Sequence, residues 1–134
     1  IKTLQKTQKN LIVMGDFNVA PTPLDIGIGE ANAKRWLREG KTAFLPEEID
    51  MWHSIKELGF IDSWRQQYPE EGSIYSWFDY RSRMFDDSPK RGLRIDHILV
   101  AEHMKKNIKE TGIDYIARAM EKPSDHCPVW LTLK

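Results

Sequence analysis

The stretch Leu11-Ile12-Val13-Met14-Gly15-Asp16-Phe17-Asn18 constrains the fold more than any other. Four consecutive apolar residues bounded by glycine predict a strand buried on both faces. The strand runs into a tight turn with two polar side chains two positions apart, Asp16 and Asn18. If extended geometry persists, both point to one side. A carboxylate and a carboxamide at the mouth of a buried strand are costly unless something uses them. The same residues also suit an Asx-turn, in which Asp and Asn hydrogen-bond only their own backbone.

The chain has 134 residues, the length of a single domain spanning 1–134. Lys plus Arg and Asp plus Glu both number 20, so the net charge is zero. That balance gives no global argument for nucleic acid and leaves room for a local basic groove. No apolar run approaches a membrane span. Ile1 to Asn10 is polar and lysine-rich, unlike a secretory signal. It reads as the tail of a helix that begins elsewhere, so the chain is expected to be a piece of something longer. A single cysteine, Cys127, forms no internal disulfide and points to a reducing, cytoplasmic setting.

Two prolines, Pro21 and Pro23, exclude helix and central strand after Asn18. Ala31 to Glu39 predicts a short helix stopped at Gly40, with Lys34, Arg35, Arg38 and Lys41 as a solvated or phosphate-contacting basic face. Pro46 to Leu58 predicts the clearest helix, with Pro46 at its start, Glu47 and Glu48 on the positive end of the dipole, and Ile49, Trp52, Ile55 and Leu58 along one face. His53 lies off that stripe and is expected to be exposed. Ile74 to Phe78 is aromatic and strand-like. From Asp79 to Gly92 arginines, a lysine and aromatics alternate in a long loop, which suits a nucleic-acid surface or a charged loop with its aromatics tucked beneath. Leu93 to Ala101 predicts the second strong strand, and its Asp96 needs a partner: Arg94, a histidine or a metal. Glu102 to Ile108 reads as a short helix or turn. Ile113 to Ala119 alternates as a strand, and Val129 to Leu133 forms the last one. Asp125 and His126 precede it in a proline-bounded turn, as an acid–base or metal pair or as a plain surface turn. Four strands alternating with two helices predict an α/β or α+β layered structure.

Asp16 with Asn18, Asp96, and Asp125 with His126 thus present the same chemistry at strand ends, where loops of one sheet edge converge. Carboxylates, a carboxamide and a histidine without cysteine clusters suit a hard ion such as Mg²⁺. No phosphate-cradling glycine loop is present.

Gly15-Asp16-Phe17-Asn18, Arg94-Ile95-Asp96 and Ser124-Asp125-His126, in this order, resemble the three later motifs of the endonuclease/exonuclease/phosphatase superfamily. Leu24 to Glu30, Lys34 to Arg38, Phe44 to Glu48, Ser76 to Ser82 and Gly112 to Tyr115 are similar to its exonuclease III branch, the abasic-site endonucleases. The resemblance implies metal-dependent hydrolysis of phosphodiesters in double-stranded DNA at abasic sites or 3′ ends, with Mg²⁺ or Mn²⁺ and no covalent intermediate. It implies that Asp16 activates the water, Asn18 holds phosphate or water, His126 stabilises the developing charge and Asp96 supports the network. Asp125, with Asp16 and Asn18, would approach the metal. Trp77, Phe78 and Leu93 would line a pocket for a flipped abasic sugar, with Arg81 on the DNA.

The resemblance further implies two facing sheets flanked by helices, of which this chain supplies one mostly antiparallel sheet, half of a four-layer fold. The family's N-terminal half, with its principal metal-binding Glu, has no counterpart here. The isolated chain, a monomer, is then expected to be inactive with one sheet face exposed. His97 stands where the family is more usually apolar. The alternatives are a non-catalytic DNA-binding fragment, or a phosphatase of the same superfamily acting on another phosphate ester.

Overall fold

Strand β3 (Asp96–Ala101) is the centre of a three-stranded antiparallel sheet ordered β1-β3-β2. The computed structural model describes residues 1–134. Along one edge runs β1 (Ile12–Asp16), in register from Ile12 opposite Val100 to Asp16 opposite Asp96. Along the other runs β2 (Phe60–Asp62). A second, two-stranded sheet pairs β4 (Ile108–Ile113) with β5 (Val129–Leu133). Helices α1 (Lys2–Gln5), α2 (Glu30–Glu39), α3 (Pro46–Glu57), α4 (Ser63–Gln67) and α5 (Tyr115–Arg118) complete the α/β fold, with 3₁₀ turns at Pro23–Asp25 and Glu102–Asn107. No helix is long and apolar enough to cross a membrane.

Helix α2 ends where the sequence places it, with Gly40 in the left-handed region at φ 69°. Helix α3 begins at Pro46 and drives Trp52 against Val19, Phe60 and Leu99, while His53 is exposed. On and just after α2, Lys34 pairs with Glu30 at 3.0 Å and Lys41 with Glu39 at 3.3 Å. They form a solvated face, as exposed pairs of this kind do.

Three expectations are corrected. Strand β1 is not buried on both faces, because one face borders an open groove. Leu11 and Val13 pack towards Trp52 and Leu99, whereas Met14 is 65% exposed. Ile12, Met14, Ile98 and Trp130 border an open apolar groove of about 310 Å³ between the two sheets. Ile74 to Phe78 is not a strand. It is a crossing held by two isolated bridges at Trp77, to Leu93 and to His126, in which Ser76 and Trp77 N–H donate to Leu93 O and Phe78 N–H donates to Asp125 O. The approach is so close that a Cβ on Gly92 would stand 2.5 Å from Trp77 O.

Ile113 to Ala119 is not a strand either. Asp114 accepts from Ala117 N–H at 3.1 Å and caps α5, and residues one turn apart face inward. The Tyr115 hydroxyl accepts from Tyr75 N–H, and Arg118 donates to Phe78 O. Ile116 between them is exposed. Of the partners left open to Asp96, a histidine is the one it meets, His126, because Arg94 turns away from it. The Arg94 guanidinium is buried and donates to Asp25 at 2.7 Å and to Asp62 at 2.6 Å. Arg65 joins Asp25 at 2.5 Å.

This ionic cluster sits beneath the sheet beside His97, which is also buried. A guanidinium has donors only, so His97 Nδ1 accepts from Arg94 at 3.0 Å and Nε2–H donates to Val19 O at 2.7 Å. Burial, reinforced by Arg94, lowers the His97 pKa to about 4 and keeps the ring neutral.

Candidate active site

The antiparallel register sets Asp16, the last residue of β1, opposite Asp96, the first residue of β3. Two carboxylates directly opposite each other repel unless a cation stands between them. A protonated His126 provides one. Its Nδ1 lies 2.9 Å from Asp96 Oδ2, and its Nε2 lies 3.8 Å from Asp16 Oδ2. Burial opposes charge on this ring, but the hydrogen bond and charge of Asp96 outweigh it and hold the His126 pKa above its ordinary value. Burial likewise raises the pKa of Asp96, against the pull of His126. Asp96 is held at the strand start by Ser76, whose Oγ accepts from the N–H groups of Ile95 and Asp96 at 2.9 and 3.0 Å.

Gly15 sits in β1 at φ 141°, a conformation L side chains rarely adopt, so glycine is required just before Asp16. Asn18 follows at φ 53°, in the left-handed region that Asn tolerates. Strand geometry therefore does not persist through the turn. Asp16 Oδ1 accepts from Asn18 N–H at 2.8 Å, so the Asx-turn does form. It leaves Asp16 Oδ2 to face His126, and it sets Asn18 next to Asp16.

Asp16, Asp96 and His126 each offer a ligand atom, and these atoms lie within 4.8 Å of one another. The two carboxylates are donors that fit a divalent cation, with the protonated His126 ring beside them. Asp125 stands apart from this cluster: its Oδ2 accepts from Trp77 Nε1–H at 3.0 Å. A small cleft of about 90 Å³ opens beside Asn18, walled by Trp36, Thr42, Trp77, Leu93 and Ile95. Trp77 and Leu93 were expected there. Phe78 is not a wall of it: the ring is fully buried against Tyr75, Phe85 and Tyr115. Arg81 projects into solvent with only Asp79 nearby. In the same loop Met84 is buried and Lys90 lies 3.8 Å over the Phe85 ring, so these side chains are tucked beneath, while Tyr80 is exposed.

Sequence reasoning missed Trp36, Thr42, Ile95 and Ser76. Ile95 had a signal, since it lies inside the Arg94-Ile95-Asp96 motif. Trp36 had a weaker one, as an aromatic on a basic helix.

Residues 1–126 match the Endonuclease/Exonuclease/phosphatase family. The chain is 51% identical over 124 residues to exodeoxyribonuclease III of Haemophilus influenzae, covering 92% of this chain and 46% of that protein. It is 34% identical to an exodeoxyribonuclease of Bacillus subtilis, covering 94% and 45%. Among solved structures, a 3′-5′ exonuclease from Neisseria meningitidis superposes with a TM-score of 0.86 at 36% identity, over 98% of this chain and 48% of that one. An AP endonuclease from Archaeoglobus fulgidus gives 0.81 at 30% identity, over 97% and 49%. The chain spans about half the length of the relatives it matches. It belongs to the endonuclease/exonuclease/phosphatase family.

Proposed function

We propose that residues 1–134 form one domain, the C-terminal half of a nuclease of exonuclease III type. Its substrate is double-stranded DNA at abasic sites or 3′ ends, and its reaction is phosphodiester hydrolysis. The observation that carries this reading is the meeting of Asp16, Asp96 and His126 beside a small aromatic cleft.

The chain's residues divide the work. Asp96 favours the protonated His126 ring, whose Nε2–H can donate to a phosphoryl oxygen as negative charge develops there. Asp16 Oδ2, free of the Asx-turn, is placed to accept a proton from attacking water. Asn18 holds the phosphate or the water in line. Trp77, Leu93 and Ile95 receive the sugar, whose apolar face fits a cleft too small to welcome a base. Asp16 and Asp96, with Asn18 adjacent, would hold Mg²⁺ or Mn²⁺, which supplies Lewis-acid charge to the phosphate. Asp125 acts through Trp77, steadying the cleft wall. A cytoplasmic setting fits the single buried cysteine.

The apolar groove beside β1 supports the half-domain reading, since the relatives are about twice this length. The test uses an abasic duplex with Mg²⁺ or Mn²⁺, the chain alone, and the chain mixed with the first half of the Haemophilus relative. Nicking is expected only in the mixture. A mixture that forms a complex yet nicks nothing overturns the reading.

A further inference from the structure

Asn18 is tied to the protein at a second point, and the route of that tie decides which atoms of its carboxamide remain free. Its Nδ2 lies 3.2 Å from Thr42 Oγ1. The Thr42 hydroxyl in turn bonds to Glu48 Oε2. Glu48 is the third residue of α3, and its other oxygen accepts from the N–H groups of Ala43 and Leu45, both at 3.1 Å. The first turn of α3 therefore clamps this carboxylate in place.

The polarity of the chain follows from donor and acceptor counts. An ionised carboxylate only accepts, so the single Thr42 hydroxyl proton points to Glu48. Thr42 oxygen is then an acceptor towards Asn18, and the atom that faces it must be the amide nitrogen. The reverse orientation would set two acceptors against each other. One amide proton of Asn18 is thereby committed, and Oδ1 with the second proton remains for the site. Thr42 and Asn18 also wall the cleft that holds Trp77 and Leu93, so the relay runs along that wall.

We infer that Thr42, held by Glu48, is a positioning residue that sets the orientation of the Asn18 carboxamide in the phosphodiesterase site. This rests on the function proposed above. An Asn free to flip would offer its donor and acceptor to the phosphate in either order, and half of its orientations would be unproductive. Losing an outer partner of a site residue typically costs roughly 10–100-fold.

Two measurements test it separately. In the ¹⁵N–¹H spectrum of the 134-residue chain, the two side-chain amide protons of Asn18 should be strongly inequivalent, one of them slow to exchange with water. Thr42→Ser should keep that pattern, and Thr42→Val should lose it. Glu48→Gln should lose it as well: Oε1 still caps α3, but the new amide donates to Thr42 and turns the hydroxyl proton towards Asn18. Spectra of Asn18 unchanged in Thr42→Val overturn the inference.

In the mixture with the complementary half, Thr42→Val should lower kcat by roughly 10-fold or more while KM stays nearly constant, and Thr42→Ser should restore kcat. Equal kcat in wild type and Thr42→Val also overturns it. A wild-type mixture that nicks no DNA refutes the proposed function, while the spectra still decide whether the relay exists.

Discussion

Mild acid should destabilise this fold through His97, before most of its carboxylates titrate. Burial and the neighbouring Arg94 lower the His97 pKa from 6.5 to about 4. Between those values the unfolded chain binds a proton that the folded chain refuses. Stability must therefore rise with pH across that window, and fall as pH drops from about 6.5 towards 4. A gap of about 2.5 pH units at about 1.4 kcal/mol each amounts to about 3.5 kcal/mol, a large share of the stability of a small domain. His126 acts in the opposite sense. Its folded pKa lies above 6.5, so its contribution is complete below pH 6.5 and is lost as pH rises through the folded value. The His97 contribution therefore grows up to about pH 6.5, and the His126 contribution fades above it.

Urea unfolding followed by tryptophan fluorescence, from pH 4.5 to 8, measures this directly. His97→Gln should remove the acid-side slope, because a neutral amide can still donate to Val19 O. His126→Gln should remove the decline above pH 6.5 and leave the acid side intact. A wild-type midpoint that stays flat between pH 6.5 and 4.5 would refute the reasoning, as would an acid slope that survives in His97→Gln.

Arg94→Met leaves Asp25 and Asp62 buried without their shared guanidinium and should cost about 3–5 kcal/mol in urea unfolding; a loss below about 1 kcal/mol would show that Arg65 suffices. Asp96→Asn removes the charge that supports His126, so an NMR titration should find the His126 pKa shifted down towards 6.5. Gly92→Ala drives a methyl against Trp77 O, at 2.5 Å, and should cost about 1–3 kcal/mol while loosening the Trp77 crossing, seen as a shifted tryptophan emission. Asn18→Ala must hold φ 53° without the side chain that tolerates it and should be about 1 kcal/mol less stable than Asn18→Gly in thermal unfolding.

Periodicity identified the elements whose burial is completed within the chain. Helix α3 shows its apolar stripe because Trp52 and its neighbours meet the sheet directly. It failed where capping and side-chain hydrogen bonds decide the local structure. Residues 113–119 alternate in polarity like a strand, yet Asp114 supplies a helix cap and Tyr115 and Arg118 find inward partners one turn apart. Strand β2 and helix α4 escaped notice because each is short, three and five residues, and both are organised by Asp62, which caps α4 and holds Arg94. The apolar run of β1 is a further case. It does signal burial, but Met14 and Ile12 face a groove that this chain leaves open. Composition records what a strand is suited to meet, and not which polypeptide supplies it.

At the candidate site, residue types were readable and directions were not. Neighbours in sequence part company in space. Of Asp125 and His126, the histidine turns to Asp96 and the aspartate to Trp77. Of Trp77 and Phe78, one walls the cleft and the other enters the core. Of Asp96 and His97, one joins the acidic cluster and the other joins the buried ionic network. Extended backbone sends successive side chains to opposite faces, so a pair of adjacent polar residues delivers one group to a site and one to its support. The supporting members are where the shape of the site is held. His97 and Arg94 fix the underside of β3, Ser76 pins its first N–H groups, and Thr42 with Glu48 fixes Asn18. A residue pattern that names only the reacting groups therefore understates how much of this chain is committed to orienting them.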